Sequence, residues 1–99
     1  MSNRGFNYIL LNKIFTSVFS IKESRSTDVV KYTIYKTSDG SVLSTGNAVY
    51  LAGINWKVTF TPPTIDTYVV EVENTTIDIK YCAVFQAVEV VSIAYGGNS

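Results

Sequence analysis

The sequence predicts an all-β protein that folds as a single β-sandwich. From about residue 14 onward, apolar and polar residues alternate with a period of two, and Val, Ile, Thr, Tyr and Phe are frequent, as in half-buried strands. Turn residues interrupt this pattern at intervals of roughly eight to twelve residues. The chain has 99 residues, which is the common size of one domain. Short strands at this spacing are typical of a sandwich or a barrel, and we favour the sandwich.

The first two strands are predicted on either side of a polar turn. Alternate residues from Phe15 to Ile21 share one face of the first strand, and the charged and polar run 22–28 then turns the chain. In the second strand Val30, Tyr32 and Ile34 share one face. Each strand therefore offers one apolar face to a common core.

A tight hairpin is predicted at Ser38-Asp39-Gly40. Gly tolerates the positive φ that such a turn requires, and Asp before it favours the same geometry, which makes Gly40 a structural residue. Short strands follow at 41–45 and 48–51. In the next strand, over 56–61, Trp56 is predicted to face the core together with Val58 and Phe60, which leaves Lys57 facing water.

The last strands are predicted after Pro62-Pro63, since proline cannot donate to a strand ladder. A strand from about Thr67 places Tyr68, Val70 and Val72 on one face. The tract 77–95 is strand-like but long, so we expect a break near Phe85–Ala87. Residues 96–99 (GGNS) are predicted to be a flexible tail.

The charge balance and composition exclude several kinds of partner. Lys and Arg total 8 and Asp and Glu total 8, so there is no net field to attract nucleic acid or an anionic membrane. Charged residues are 16% of the chain and apolar ones 46%, which is a low charge density for so small a soluble domain. We therefore expect another chain to cover part of the apolar surface, in a homo-oligomer or a larger assembly.

Catalytic and cofactor chemistry is not predicted. The chain contains no His, which excludes Ser-His-Asp and Cys-His nucleophile systems and most zinc sites. The glycines are isolated turn residues rather than a phosphate-binding loop. Glu71 and Glu73 share one strand face, as a glycosidase pair could, although a solvated sheet face explains them as well. We expect a non-enzyme without a cofactor or metal.

The remaining polar and aromatic candidates have structural explanations. Cys82 is the single cysteine, so we expect it to pack in a strand as a small hydrophobe. Tyr35, Tyr50 and Tyr81 could face outward and bind sugar, although most aromatic residues fall at core-facing positions.

The N-terminal stretch is the candidate assembly interface. Asn7, Asn12 and Lys13 interrupt its apolar run, so a signal peptide is not expected, and no segment of the chain is long and apolar enough for a membrane helix. Residues 1–15 are predicted to be either an arm that packs on a neighbouring subunit or a first edge strand, before a sandwich over 16–95. The residues expected to make this interface are Phe6, Tyr8, Ile9, Leu10, Leu11, Ile14 and Phe15.

Residues 28–74 carry a family resemblance. Its parts are the run VKYTIYKTSDGSVLSTG from Val30, then WKVTFTP from Trp56, then DTYVV from Asp66. This pattern resembles the immunoglobulin-like domains of tailed-phage virion proteins and, more loosely, bacterial surface Ig-like modules. The resemblance implies an Ig-like sandwich of about seven strands with an N-terminal arm or extra strand.

The resemblance also implies a role for Tyr68 and a function. Tyr68 stands where such domains often have a tyrosine corner, although Asp66 replaces the usual Gly and the Cys-Trp-Cys signature is absent because Val70 stands in place of the second Cys. The implied function is that of a non-enzymatic virion structural protein: a capsid decoration or cement protein, or a head, neck or tail component, acting through contacts with other virion proteins. The alternative is an Ig-like adhesion module that binds a host glycan or a cell-surface protein.

Overall fold

The computed structural model describes residues 7–89, which form two β-sheets packed face to face. The larger sheet has the strand order β1-β8-β7-β3-β4 and the smaller one β2-β6-β5. The eight strands of this part of the chain are β1 (Asn7–Leu10), β2 (Phe15–Ser20), β3 (Val30–Lys36), β4 (Val42–Asn47), β5 (Val49–Ala52), β6 (Asn55–Phe60), β7 (Thr67–Asn74) and β8 (Ile79–Val88). The predicted all-β sandwich is thus confirmed. No membrane-spanning helix occurs in residues 7–89, which contain no helix at all.

The strand connections follow the immunoglobulin-like pattern. The chain crosses between the sheets after β1, β2, β4 and β6, and β2 pairs with β6 while β3 pairs with β7. β1 adds an eighth strand, because it lies at the edge of the larger sheet and pairs in parallel with β8, from Asn7↔Phe85 to Leu10↔Val88. The first and last described strands therefore lie side by side.

The core lies between the two sheets and follows the alternation of the sequence. Every second residue of β6 and of β7 is buried, so that Lys57 remains on the outer face. The buried apolar set is Ile9, Phe19, Ile21, Val30, Ile34, Ala48, Trp56, Val58, Phe60, Tyr68, Val70, Val72, Phe85 and Ala87. Burial of these side chains is the main stabilising term of the fold.

The turn between β3 and β4 depends on Gly40. Its φ is +74°, a conformation that costs other residues steric strain. Asp39 Oδ1 accepts hydrogen bonds from the backbone N and the hydroxyl of Ser41, at 2.9 and 2.7 Å. Local polar contacts therefore close the turn, and the turn sets the pairing register of β3 with β4.

The expected break near Phe85–Ala87 is wrong. β8 runs without interruption from Ile79 to Val88. Its first eight residues pair with β7, and from Phe85 onward β1 pairs with its other side. Because ladder bonds hold this stretch on both sides, a ten-residue strand is stable there without a bend.

Tyr68 forms a tyrosine corner between β6 and β7. Its buried hydroxyl donates to the carbonyl of Thr64 at 2.8 Å and accepts from the backbone N and the hydroxyl of Thr64 at 3.2 and 2.9 Å. Its ring packs on Phe60 with the centroids 5.8 Å apart. The corner fixes the connection between the two sheets.

Asp66 takes part in the same connection. Its carboxylate accepts from the Ser38 hydroxyl at 2.5 Å and from the backbone N of Thr67 at 2.7 Å. The hydrogen bond from Ser38 is the main cause that lowers the pKa of Asp66. Asp66 therefore ties the β6–β7 connection to the β3–β4 hairpin, a function that a glycine could not perform.

Candidate functional site

The predicted interface residues of β1 separate into one buried and two exposed side chains. Ile9 is only 3% exposed and belongs to the core of its own domain, so it is not available to a partner. Tyr8, at 69% exposure, and Leu10 lie on the opposite, outer side of the strand. Phe6 lies outside the described residues. Only part of the stretch therefore presents a surface.

The rest of that stretch is divided in the same way. Ile14 is exposed and Leu11 is half-buried. Phe15 packs into the sandwich, where its ring lies 6.0 Å from that of Phe60 and 4.8 Å from that of Phe85. Period-two alternation explains the division within β1 and β2, because neighbouring residues of a strand point to opposite faces. Leu11 and Ile14 lie in the connection between these two strands.

The outer face of the larger sheet carries a continuous apolar row. Val42 of β4 lies opposite Tyr35 of β3, Tyr35 lies opposite Val69 of β7, and Val69 lies opposite Val84 of β8. Val42 and Val84 are exposed, whereas Tyr35 and Val69 are half-buried. These four residues, which we call the apolar row, cross four of the five strands. Because the row is built from four separate segments, the sequence alone does not display it.

The next rows of the same face are polar and charged. Lys31 lies opposite Glu73, which lies opposite Lys80. The ammonium of Lys80 is also 4.0 Å from the carboxylate of Glu71. Glu71 and Glu73 thus stand among lysines on an open sheet surface. Glycoside hydrolysis instead places its two carboxyl groups on either side of a bound sugar ring.

Cys82 does not pack in the core, which corrects the sequence-based expectation. It is exposed on the outer face of β8, opposite Glu71. Its neighbours Tyr81 and Ala83 point inward instead and pack against the core. Apolar residues occupy both faces of β8, so the pattern along this strand did not show which face is inside.

The three tyrosines considered for sugar binding are not brought together. Only Tyr35 lies on the outer face. The ring of Tyr50 packs against that of Trp56, at 5.2 Å between centroids, and Tyr81 packs against the core while its hydroxyl accepts from the backbone N of Lys22. An outward position for Tyr50 and Tyr81 is therefore wrong, since both rings complete the core.

An open cleft of about 770 Å³ lies at one end of the sandwich. Its walls are the β2–β3 loop and the β7–β8 turn, which are far apart in sequence but adjacent in the fold. The lining residues are Glu23, Ser24, Arg25, Thr27, Asp28, Thr76 and Ile77. The sequence predicted the turn over 22–28, but only the topology shows that this turn meets the β7–β8 turn.

Hydrogen bonds within each side of the cleft and between the two sides hold the cleft in shape. The Oδ2 atom of Asp28 accepts from Nδ2 of the fully buried Asn74 at 2.9 Å and from the backbone N of Arg25 at 3.0 Å. These two bonds lower the pKa of Asp28, and the bond from Asn74 has the larger effect. Asn74 Oδ1 in turn accepts from the backbone N of Thr76 at 3.0 Å. The cleft is thus built before any ligand arrives.

The chemistry that the cleft offers is hydrogen bonding. It contains the carboxylates of Glu23 and Asp28, the guanidinium of Arg25 and the hydroxyls of Thr27 and Thr76. Glu23 is held at a φ of +64°, which is uncommon for a residue with a side chain. In the described part of the chain, no three His, Cys, Asp or Glu side chains are grouped so as to hold a metal ion. Such a cleft can bind a hydroxylated ligand.

Comparison with known proteins identifies a structural relative but no family. No family model matches the chain, and no curated protein matches it in sequence. The fold is similar to part of a solved structure from Bacteroides vulgatus ATCC 8482, described as a "putative glycoside hydrolase", with a TM-score of 0.64 and 9% identity. The match covers 85% of this chain but only 16% of the other. At this identity the likeness shows the fold alone.

Proposed function

We propose that the chain is a non-enzymatic structural module of a phage virion, a capsid decoration or cement protein or a head–tail component, that acts through repeated protein–protein contacts. The observation that carries this proposal is the apolar row on the outer face of the larger sheet. The row is accompanied by the exposed Tyr8 and Leu10 on β1. A contiguous apolar patch of this kind on a small domain marks a contact surface.

The order of residues across this face is that of an interface. It has an apolar row, with Val42, Tyr35, Val69 and Val84 in register, and the rows that contain Glu71 and Glu73 supply a charged margin on one side of it. Protein interfaces have the same anatomy, with a core depleted of charge and a polar rim. Because the face belongs to a five-stranded sheet with ladder bonds throughout, it is rigid before contact, and little conformational entropy is lost on binding.

The virion assignment is supported by the sequence resemblance over 28–74. The low charged fraction of 16% favours a subunit that has neighbours over one that stays alone in solution. The structural match to one sixth of a larger protein is consistent with the use of such a sandwich as one module among several.

The assignment can be tested on purified particles. Phage particles are isolated by density gradient from the source culture and analysed by mass spectrometry. We expect peptides of the chain at a fixed ratio to the major capsid protein. Their absence from particles that contain all other structural proteins would refute the virion role.

The contact surface can be tested by adding the purified chain to particles made without its gene. We expect the wild-type chain to sediment with them and Val84→Lys, which places a charge at the end of the apolar row, to bind at least about tenfold more weakly. Val49→Lys is the matched control, because Val49 is an exposed valine on the other sheet. Equal binding by both variants would show that the outer face of the larger sheet is not the contact surface.

The second candidate function is an adhesion module that binds a glycan or a cell-surface protein, and the cleft favours it. Arg25 provides a donor fork, and Asp28, held by its bond from Asn74, provides an acceptor, a combination that suits the hydroxyls of a sugar. We expect binding on a glycan array that is lost in Arg25→Ala and kept in Val84→Lys. An array without hits would rule out the glycan form of this function.

A further inference from the structure

The smaller sheet has one open edge with none of the usual protections. Natural proteins shield edge strands by keeping them short, by bulges, or with charged or proline residues. β1 and β5 have only four residues each, and both β5 and β4 show a register shift against their neighbour. β2 instead pairs with β6 in an unbroken register of six residues. It is therefore the longest regular edge in residues 7–89.

The composition of β2 leaves its edge unguarded as well. Residues 15–20 (FTSVFS) contain no charge, no proline and no glycine. The side chains of Thr16 and Ser20 form hydrogen bonds with Thr59 and Asn55 of the neighbouring strand β6. They are therefore directed toward β6 and do not cover the open edge of β2. Val18 between them is 55% exposed.

The direction of the backbone groups on this edge follows from the ladder. The N of Ile21 donates to the carbonyl of Ile54 on the β6 side at 2.8 Å. Bonding direction alternates along a strand, so Phe15, Ser17 and Phe19 also bond to β6, whereas Thr16, Val18 and Ser20 point their N–H and C=O groups away from it. Within residues 7–89 no backbone group forms a hydrogen bond to the outward N–H and C=O groups of these last three residues.

We propose that β2 pairs with β2 of a second copy of the chain, antiparallel and about a two-fold axis that passes through Val18. In this register Val18 lies opposite Val18 of the second copy, and Thr16 lies opposite Ser20. All three are residues whose backbone groups point to the open edge, so their N–H groups all donate across the junction. The two smaller sheets then form one continuous sheet.

The self-pairing satisfies the side chains as well as the backbone. A two-fold axis through Val18 pairs outward residues with outward ones, and Ser17, which is buried, with the buried Phe19 of the other copy. A shift by one residue would place buried side chains opposite exposed ones, which specifies the register. Because β2 carries no charge, no like charges oppose each other within it. The contact is separate from the outer face of the larger sheet and does not depend on the virion proposal.

The test is the mass of the purified chain in sedimentation velocity over a range of concentrations. We expect a reversible change from the 10.9 kDa monomer to a species of twice that mass. Val18→Lys should raise the dissociation constant at least tenfold. Val49→Lys is a close control: Val49 is 54% exposed and lies in the same cross-strand row, Val18–Lys57–Val49, but at the far edge. A circular-dichroism melt of each variant verifies that it remains folded.

Hydrogen exchange provides a second readout that depends on the backbone rather than on side chains. The amides of Thr16, Val18 and Ser20 should become protected as the concentration rises. The midpoint of this protection should fall at the same concentration as the midpoint of the change in mass. A chain that stays monomeric at all concentrations would overturn the proposal. So would a dimer lost equally in Val18→Lys and Val49→Lys, or amides already protected in the monomer, since another segment of the chain would then occupy the edge.

Discussion

Replacement of Tyr68 by phenylalanine removes one hydroxyl group and leaves the ring in place. That hydroxyl makes three hydrogen bonds, all to Thr64, and the bond to the Thr64 carbonyl is 2.8 Å long. The packing of the ring on Phe60 is retained, so the change isolates the polar contribution of the corner. Tyr68→Phe is therefore a direct test of what fixes the connection between the sheets.

The expected cost follows from these contacts. A net intramolecular hydrogen bond contributes about 1 kcal/mol, and the partners left behind cost more if they stay buried. Thr64 itself is exposed, so water can replace part of what is lost at its backbone. We expect the free energy of unfolding to fall by about 2 kcal/mol. For a domain of this size that corresponds to a fall in Tm of about 8 °C.

The assay is urea unfolding followed by the fluorescence of Trp56, the single tryptophan. The midpoint should fall while the slope with urea is unchanged, because the surface exposed on unfolding is nearly the same. Tyr8→Phe is the matched control, since that hydroxyl is on an exposed side chain, and it should change stability by less than about 0.5 kcal/mol. A Tyr68→Phe variant as stable as the control would refute the role of the corner.

Three further predictions concern other parts of the fold. Ser24→Ala removes the acceptor of the buried Trp56 indole N–H, which is 2.9 Å away, so the free energy of unfolding should fall by about 2 kcal/mol in urea titration, and an unchanged value would contradict this. The folded-state pKa of Asp28 is lowered by its bond from Asn74, so its stabilisation is present above the ordinary value of 3.8 and lost as the pH falls through the folded value. The Tm of the wild type should therefore drop in acid, and that of Asp28→Asn should drop less. If the Tm of both proteins fell equally with pH, Asp28 would not be a source of the acid sensitivity. Cys82 is exposed, so one thiol per chain should react with Ellman's reagent in native buffer; reaction only after denaturation would place Cys82 in the core after all.

The alternation of the sequence was sufficient to predict the parts of the fold that depend on local pattern. In β6, and in β7 apart from Val69 and Asn74, one face is apolar and the other polar, so the inward set, which includes Trp56 and Tyr68, follows from period two. The hairpin at Gly40 follows from local turn chemistry. Each of these signals depends only on residues that are a few positions apart along the chain.

The contact surfaces could not be predicted in the same way because they are assembled from distant segments. The apolar row takes one residue from each of four strands, and the cleft joins a loop after β2 to a turn after β7. In β8 apolar residues occur on both faces, and only the pairing with β7 and β1 decides that Cys82 is outside and Phe85 inside. Pairing partners of this kind are properties of the topology, not of the local sequence.

The parallel pairing of β1 with β8 has a mechanical consequence. When the two ends of the chain are pulled apart, β1 is drawn in one direction and β8 in the opposite one along their common axis. The load then falls on the four register pairs from Asn7↔Phe85 to Leu10↔Val88 in shear, so their hydrogen bonds must break together rather than one after another. A module tethered at both ends would in this way resist extension until that short ladder gives way.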